Sequence, residues 1–467
     1  MALKGTTVIE LTNVKTGEVE VVKEENMITN AIAQLFSNNI EGMLFAVQGS
    51  STVNWNDYHL PICPNAIGGI LLFSDALQED ANNIYAPSVN PCVGYASNNV
   101  NSTANVMRGS LNLTESGKIT RGYKFVWDFA TSQGNGTISA VALTHKRGGV
   151  GFVGDTYDAG SRWLQMKNIS NGISGTTANL YVDAVEVNFE GDYFYTISMN
   201  TANELIIKKV RKCFRNIGLN FSLREGGDEI LETTTITPTN FINSSAANGY
   251  GYFDFIDGKD GYWYGFLSSG NSSGSASVKW IKIKKEDYTF TEETWTLTNA
   301  RIQSLGYRSG YGGSPSREVR SVIRNGYVYF MHYNRTGVYK VNLNNSADIT
   351  YIAFGFTSNF NGGDNYGYTY MWNYGDWIMG SDFVIDTNDV VRKTTNNRAL
   401  SYICTPFFQY GPYALTFGRY SYNSMSVYKS MWLLTPYLAS INNLSTSVIK
   451  TADKTMKITY TVTETEQ

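Results

Sequence analysis

A turn signal interrupts this sequence about every ten residues, and the stretches between turns are short and β-branched or aromatic. Asn-Gly, Asp-Gly and Ser-Gly steps recur among 44 glycines, against only 9 prolines. Such punctuation leaves little room for long helices and predicts an all-β fold. With 467 residues the chain exceeds one ordinary core of about 100–200 residues, so two or three structural units are expected.

Charged residues make up 16% of the chain, below the roughly 25% usual in soluble domains, while aromatics reach 14% with 32 tyrosines. Asn, Ser, Thr and Tyr must therefore supply most of the polar surface. A net charge of −3 without any Lys/Arg block argues against nucleic acid as a partner, because phosphate neutralisation needs clustered cations. No apolar run reaches about 18 residues, so no membrane span is expected. The start, MALKGTTVIELTNV, has no apolar signal core and alternates like a strand. Cys63, Cys92, Cys213 and Cys404 lack CxxC spacing and read as reduced, buried side chains, with Cys63 and Cys92 the one pair considered for a disulfide.

Residues 1–42 read as an attachment unit. Thr6 to Asn13 and Glu18 to Lys23 form a hairpin about Lys15-Thr16-Gly17, followed by a helix capped by Asn26 and carrying Ala31, Ile32, Leu35 and Phe36 at helical spacing. Residues 43–180 predict a small β-sandwich, clearest in Lys118 to Phe129 and Thr137 to Thr144, which Asn135-Gly136 joins. In residues 181–436 a loose repeat emerges, a polar residue and Gly before an aromatic strand: EGDYFYTIS at Glu190, KDGYWYGFL at Lys259, RNGYVYFMH at Arg324 and NYGDWIMGS at Asn373. Their glycines, Gly191, Gly261, Gly326 and Gly375, stand 70, 65 and 49 residues apart. Spacing so uneven excludes a strict solenoid and suits a β-propeller-like domain of irregular blades, with a long sandwich or irregular sheets as the alternative. Gly411 to Tyr420 starts a further copy. Residues 437–467 end in an alternating strand, Thr455 to Thr463, expected to return to the N-terminal unit.

Chemistry is hard to place. His59, His145 and His332 are the only histidines, none in a GxSxG context, and no His/Cys cluster has metal-ligand spacing. Asp155, Asp158, Asp257, Asp260, Asp382, Asp386 and Asp389 sit in Gly/Asn loops without an EF-hand pattern and read as turn formers. Asp254, Asp257, Glu286, Asp364, Asp376 and Asp382 could serve glycoside hydrolysis, yet no signature pairs any two of them. No catalytic residue, metal ligand or cofactor is assigned, and the expectation is a protein that is not an enzyme. What stands out is aromatic density beside Asn, Gly and Ser, in SLGYRSGYGGSPS from Ser304 and NFNGGDNYGYTYMWNYGDW from Asn359. Tyr and Trp offer flat amphipathic area at low entropic cost, so Tyr307, Tyr311, Tyr366, Tyr368, Trp372 and Trp377 are the candidate ligand contacts. The strand aromatics Tyr264, Tyr327 and Tyr329 read as packing.

The chain ends also carry a resemblance. TTVIELTNVKTGEVEVVKEENMITNAI resembles the start of tail-tip proteins of phages and phage-tail-like bacteriocins (tailocins) of Gram-positive bacteria. FVWDFATSQGNGTISAVALTH, Phe125 to His145, and the terminal INNLSTSVIKTADKTMKITYTVTE are similar to strands of tail-fibre and baseplate proteins. The resemblance covers about the first 150 and last 30 residues and brings no catalytic residue. It implies a virion or tail-like particle component, assembled in the bacterial cytoplasm, whose partners are other tail or baseplate proteins and a host cell-surface glycan or protein. It further implies a homo-oligomer, commonly a trimer. A purely structural baseplate component and a surface-polysaccharide depolymerase are the rival readings.

Overall fold

The computed structural model describes residues 3–32, 66–97, 104–153, 163–173, 184–188, 191, 193–200, 202–211, 229–242, 254–306, 321–358, 371–380, 382–394, 407–419 and 427–464. Strands β1 (Leu3–Asn13) and β2 (Val19–Ile28) form the expected hairpin, with Gly17 at φ +73° in its turn and the Asn13 side chain accepting from the Lys15 and Thr16 amides. β2 runs further than the sequence suggested. Asn26 is a strand residue opposite Gly5, its Nδ2 donating to Thr7 Oγ1 at 2.8 Å, so it caps no helix. Cross-strand pairing with β1 outweighs its capping preference, and Thr29 Oγ1 instead accepts from the Ala31 amide at 3.3 Å. Residues 30–32 are helical; Leu35 and Phe36 lie outside the described residues.

β3 (Gly69–Phe73), β4 (Cys92–Ala96), β5 (Ser110–Leu111), β6 (Gly117–Ile119), β7 (Gly122–Phe129) and β8 (Gly136–Thr144) follow. Then the architecture changes. After β9 (Trp163–Ile173) come four antiparallel sheets of four consecutive strands. The first holds β10 (Ala184–Asn188), β11 (Tyr193–Met199), β12 (Leu205–Arg211) and β13 (Glu229–Ile236). The second holds β14 (Asp254–Asp257), β15 (Tyr262–Leu267), β16 (Ala276–Lys284) and β17 (Phe290–Leu297). In the third are β18 (Ser321–Arg324), β19 (Tyr327–Met331), β20 (Gly337–Asn342) and β21 (Asn345–Ala353), and in the fourth β22 (Trp372–Tyr374), β23 (Trp377–Met379), β24 (Phe383–Ile385) and β25 (Val391–Lys393). A fifth sheet combines β26 (Phe407–Tyr410), β27 (Tyr413–Arg419) and β28 (Val427–Leu434) with β9, which pairs antiparallel to β28.

The repeat read from sequence marks the turn between the first and second strand of each sheet. Gly261, Gly326, Gly375 and Gly411 take φ of +90°, +78°, +55° and +55°, which glycine adopts without the steric cost of a Cβ. First strands of successive sheets adjoin, β10 with β14, β14 with β18 and β18 with β22. This stacking explains why β19 is apolar on both faces. Val328 and Phe330 pack with Tyr264, Phe266 and Trp280 of the second sheet, while Tyr329 and Met331 pack with Ile378 and Phe383 of the fourth. A recurring cross-strand contact accompanies it: Lys209, Lys282 and Lys340 lie over the rings of Tyr193, Tyr262 and Tyr327 at 4.3, 3.9 and 4.6 Å.

β29 (Ser440–Lys450) and β30 (Lys454–Glu464) return to the first strands. The resulting ten-stranded sheet has the order β4-β3-β8-β29-β2-β1-β30-β7-β5, with β6 also on β7. Its ends approach one another: Tyr95 N donates to Met107 O at 3.0 Å and Gly109 N to Tyr95 O at 2.9 Å, leaving a nearly closed, barrel-like sheet. Alternate residues Ile9 and Leu11 of β1, Met456, Ile458 and Tyr460 of β30, and Trp127 and Phe129 of β7 fill its interior. Segments 1–42, 43–180 and 437–467 share this sheet, so among the described residues 43–180 does not form a separate sandwich. β8 pairs with β29 and β7 with β30, both from the C-terminal end of the chain, while β3 lies between β4 and β8.

Lys450, at the end of β29, is 1% exposed, and its Nζ donates to Ala130 O (2.9 Å), Thr131 O (3.3 Å) and Asn135 Oδ1 (2.7 Å). With neutral acceptors only, burial lowers this ammonium from 10.5 to about 8. Between those two values the unfolded chain binds the extra proton, so this group makes stability rise with pH across that window. Wild type should gain stability relative to Lys450→Met from pH 8 to pH 10, measured by thermal melts, whereas a pH-independent difference would refute the assignment.

Candidate functional site

Two aromatic loops were expected to make ligand contacts, and their stems are defined. The segment leaving β17 is pinned on both sides: Ser268 N and Leu305 O, and Leu305 N and Ser268 O, bond at 3.1 and 2.9 Å, while Gln303 N donates to Met331 O at 3.0 Å. The segment leaving β21 is held by Phe354 N on Thr336 O (2.8 Å), Ser358 N on Arg335 O (2.9 Å) and the Ser358 hydroxyl on buried Asp382. Each stem joins the last strand of one sheet to the first strand of the next. Both therefore spring from the same end of two adjacent sheets, beside the β19–β20 turn. Tyr307, Tyr311, Tyr366 and Tyr368, borne between these stems and the next strands, lie outside the described residues.

Between the stems stands an aromatic cluster that sequence reasoning passed over. Tyr351 is 42% and Tyr333 46% exposed, and the Tyr351 ring lies 5.0 Å from Tyr339 and 5.3 Å from His332. Thr336 bridges the cluster, its hydroxyl 3.0 Å from Tyr351 Oη and 3.1 Å from His332 Nδ1. Gly337 is required beneath it, since a Cβ there would collide with the Ile352 carbonyl oxygen. Burial and the Arg301 charge both lower the His332 pKa, which favours neutral imidazole. Its Nδ1 accepts from the Asn334 amide at 3.1 Å, so the proton resides on Nε2. The arrangement offers ring faces and neutral hydrogen-bonding groups; His332 has no carboxylate among its described hydrogen-bond partners. The cue in the sequence was the turn HYNRTG with a tyrosine recurring on the outer strand, a signal too short to distinguish from ordinary packing.

Trp372 and Trp377 lie elsewhere. They are 4% and 0% exposed and pack with Leu71, Phe73, Tyr95 and Ala140 of the ten-stranded sheet. Trp377 Nε1 donates to Ala86 O at 2.9 Å, Asp376 accepts from the Ser88 hydroxyl at 2.9 Å, and Tyr85 meets Tyr374 edge-on at 5.1 Å. Neither tryptophan presents a face to a ligand; both fill the seam between the fourth sheet and the barrel-like sheet. Tyr264 and Tyr329 are each 2% exposed.

The acids considered for chemistry are bound up in local structure. Asp257 receives Lys285 (2.7 Å) and Lys259 (2.8 Å), which lower its pKa against the opposing effect of burial. Asp386 receives the Asn388 and Val390 amides, both at 2.9 Å. Among the described residues no group of three His, Cys, Asp or Glu side chains is arranged to hold a metal ion.

No protein-family model matches the chain, and no curated protein matches it. Solved structures with slight overlap include a chain of a nidogen/laminin complex (8% identity, TM-score 0.25, covering 71% of this chain and 95% of that one). Others are a luciferin-regenerating enzyme (8%, 0.24, 57% and 96%) and AztD from Citrobacter koseri (11%, 0.24, 85% and 96%). Overlap this slight transfers no residue roles.

Proposed function

We propose that this protein is a tail-tip component of a phage or phage-tail-like particle, of the tail-fibre or baseplate kind. In this reading the ten-stranded sheet unit attaches to the particle, and the five four-stranded sheets form a β-propeller-like domain that adheres to a host cell-surface glycan or protein. The sequence resemblance at both chain ends supports the first part. The adjoining first strands of successive sheets, with β9 returning to complete the fifth sheet, support the propeller.

The observation that carries the adhesion reading is the common origin of the two aromatic loops, on rigid stems at one end of adjacent sheets. A ligand bridging them would meet tyrosine faces and neutral hydrogen-bonding groups, a mixture suited to glycans. Replacing Tyr307, Tyr311, Tyr366 and Tyr368 together with serine should abolish binding to susceptible cells while leaving the melting temperature within about 2 °C. Failure of the unaltered protein to bind susceptible cells would refute the adhesion reading and leave a purely structural baseplate role, whereas undiminished binding by the variant would place the contact on other residues. Release of new reducing ends from host surface polysaccharide would instead identify a depolymerase.

A further inference from the structure

The turn between β7 and β8 places an Asn-Gly step against a buried ammonium. Asn135 is exposed, its Nδ2 donates to Thr131 O at 2.9 Å, and its Oδ1 receives Lys450 Nζ at 2.7 Å. Gly136 follows at φ +146°, with no side chain to shield its backbone nitrogen. We propose that Asn135 is a self-modification site, where the Lys450 ammonium promotes conversion of the Asn135 amide into a carboxylate that then pairs with it.

The chemistry balances with water alone. The Gly136 nitrogen attacks Asn135 Cγ and gives up its proton, and the side-chain nitrogen departs as ammonia, leaving a five-membered succinimide. Water then opens the ring to aspartate or isoaspartate, with no change of oxidation state. In the attack, charge develops on Oδ1, the atom that the ammonium already contacts, so the lysine stabilises the tetrahedral intermediate as an oxyanion-hole donor would. The product also answers a deficiency of the present contact. A buried ammonium among neutral oxygens lacks a counter-charge, and an aspartate at this position supplies one through a charge-assisted bond with little movement of other atoms. Where the ring opens to aspartate, the consequence is a slow tightening of the barrel-like sheet, in which an ion pair ties the β7–β8 turn to β29.

Asn325-Gly326 serves as an internal reference, an exposed Asn-Gly turn with no lysine or arginine bonded to Asn325 among the described residues. The full chain should be held near pH 7, below the value of about 8 to which burial lowers Lys450, and mapped by peptide mass spectrometry over days. Acid formation at Asn135 should outpace that at Asn325 several-fold, and should slow several-fold in Lys450→Met. Separately, Asn135→Asp should melt above wild type, and that gain should vanish in the Lys450→Met background. Equal rates at the two asparagines, an equal or faster rate in Lys450→Met, or an Asn135→Asp protein melting at or below wild type would each overturn the proposal.

Discussion

Arg324→Ala is expected to destabilise the five-sheet region by about 3–5 kcal/mol, the cost of breaking a buried hydrogen-bond network and leaving its acceptors unpaired. Arg324 is 8% exposed and ends the first strand of the third sheet. Its guanidinium reaches into the fourth sheet, donating to Asp376 O (3.0 Å), Ile385 O (3.1 Å), Asp386 O (2.7 Å) and Asp389 Oδ1 (3.0 Å). It also donates to Tyr329 Oη at 3.2 Å, while Lys340 holds the other Asp389 oxygen at 2.6 Å. Alanine would orphan three carbonyls at a junction closed to water, which adds to the lost charge pairing. Arg324→Lys should recover only part of the loss, because a point charge cannot span acceptors that the planar fork reaches together. Chemical denaturation monitored by tryptophan fluorescence tests this, and a change below about 1 kcal/mol for Arg324→Ala would show that apolar packing alone joins the two sheets.

Trp377→Ala is expected to cost a similar amount, about 3–5 kcal/mol, through loss of buried area and the cavity left behind. The effect should fall on the seam between the fourth sheet and the barrel-like sheet, since Trp377 packs edge-on against Phe152 at 6.5 Å and bonds Ala86 O. Limited proteolysis should then cut the 74–91 segment faster than in wild type. Trp377→Phe should cost less, as it keeps most of the ring volume and loses one hydrogen bond. The opposite pattern, unchanged stability with lost cell binding, would return Trp377 to the role of ligand contact that its sequence context suggested.

Why that context misled is instructive. In NYGDW the aromatic density is the same whether a tryptophan faces solvent or a second unit, and local sequence does not reveal that Ile84 to Ser88 will cover it. The glycine turns were legible because a left-handed backbone position leaves a residue-type signature at the site itself. The packing role of Tyr264 and Tyr329 was legible as well, because apolar neighbours such as Val328, Phe330 and Met331 leave their strands no polar side. Tyr333 and Tyr351 carried no comparable mark, since one exposed tyrosine on a strand is ordinary.

The sequence by itself determined the all-β class, the hairpin at the start and the glycine-punctuated strand pairs. These follow from period-two alternation and from turn residues, which act over a few neighbours. Only the tertiary structure decided that β9 completes a sheet with β28, that β8 and β29 are neighbours despite the twenty strands between them, and that Trp372 and Trp377 lie in a seam. Backbone hydrogen bonds between strands use groups common to every residue, so a strand's own composition does not specify which distant strand it will pair with, and burial of its side chains depends on that partner.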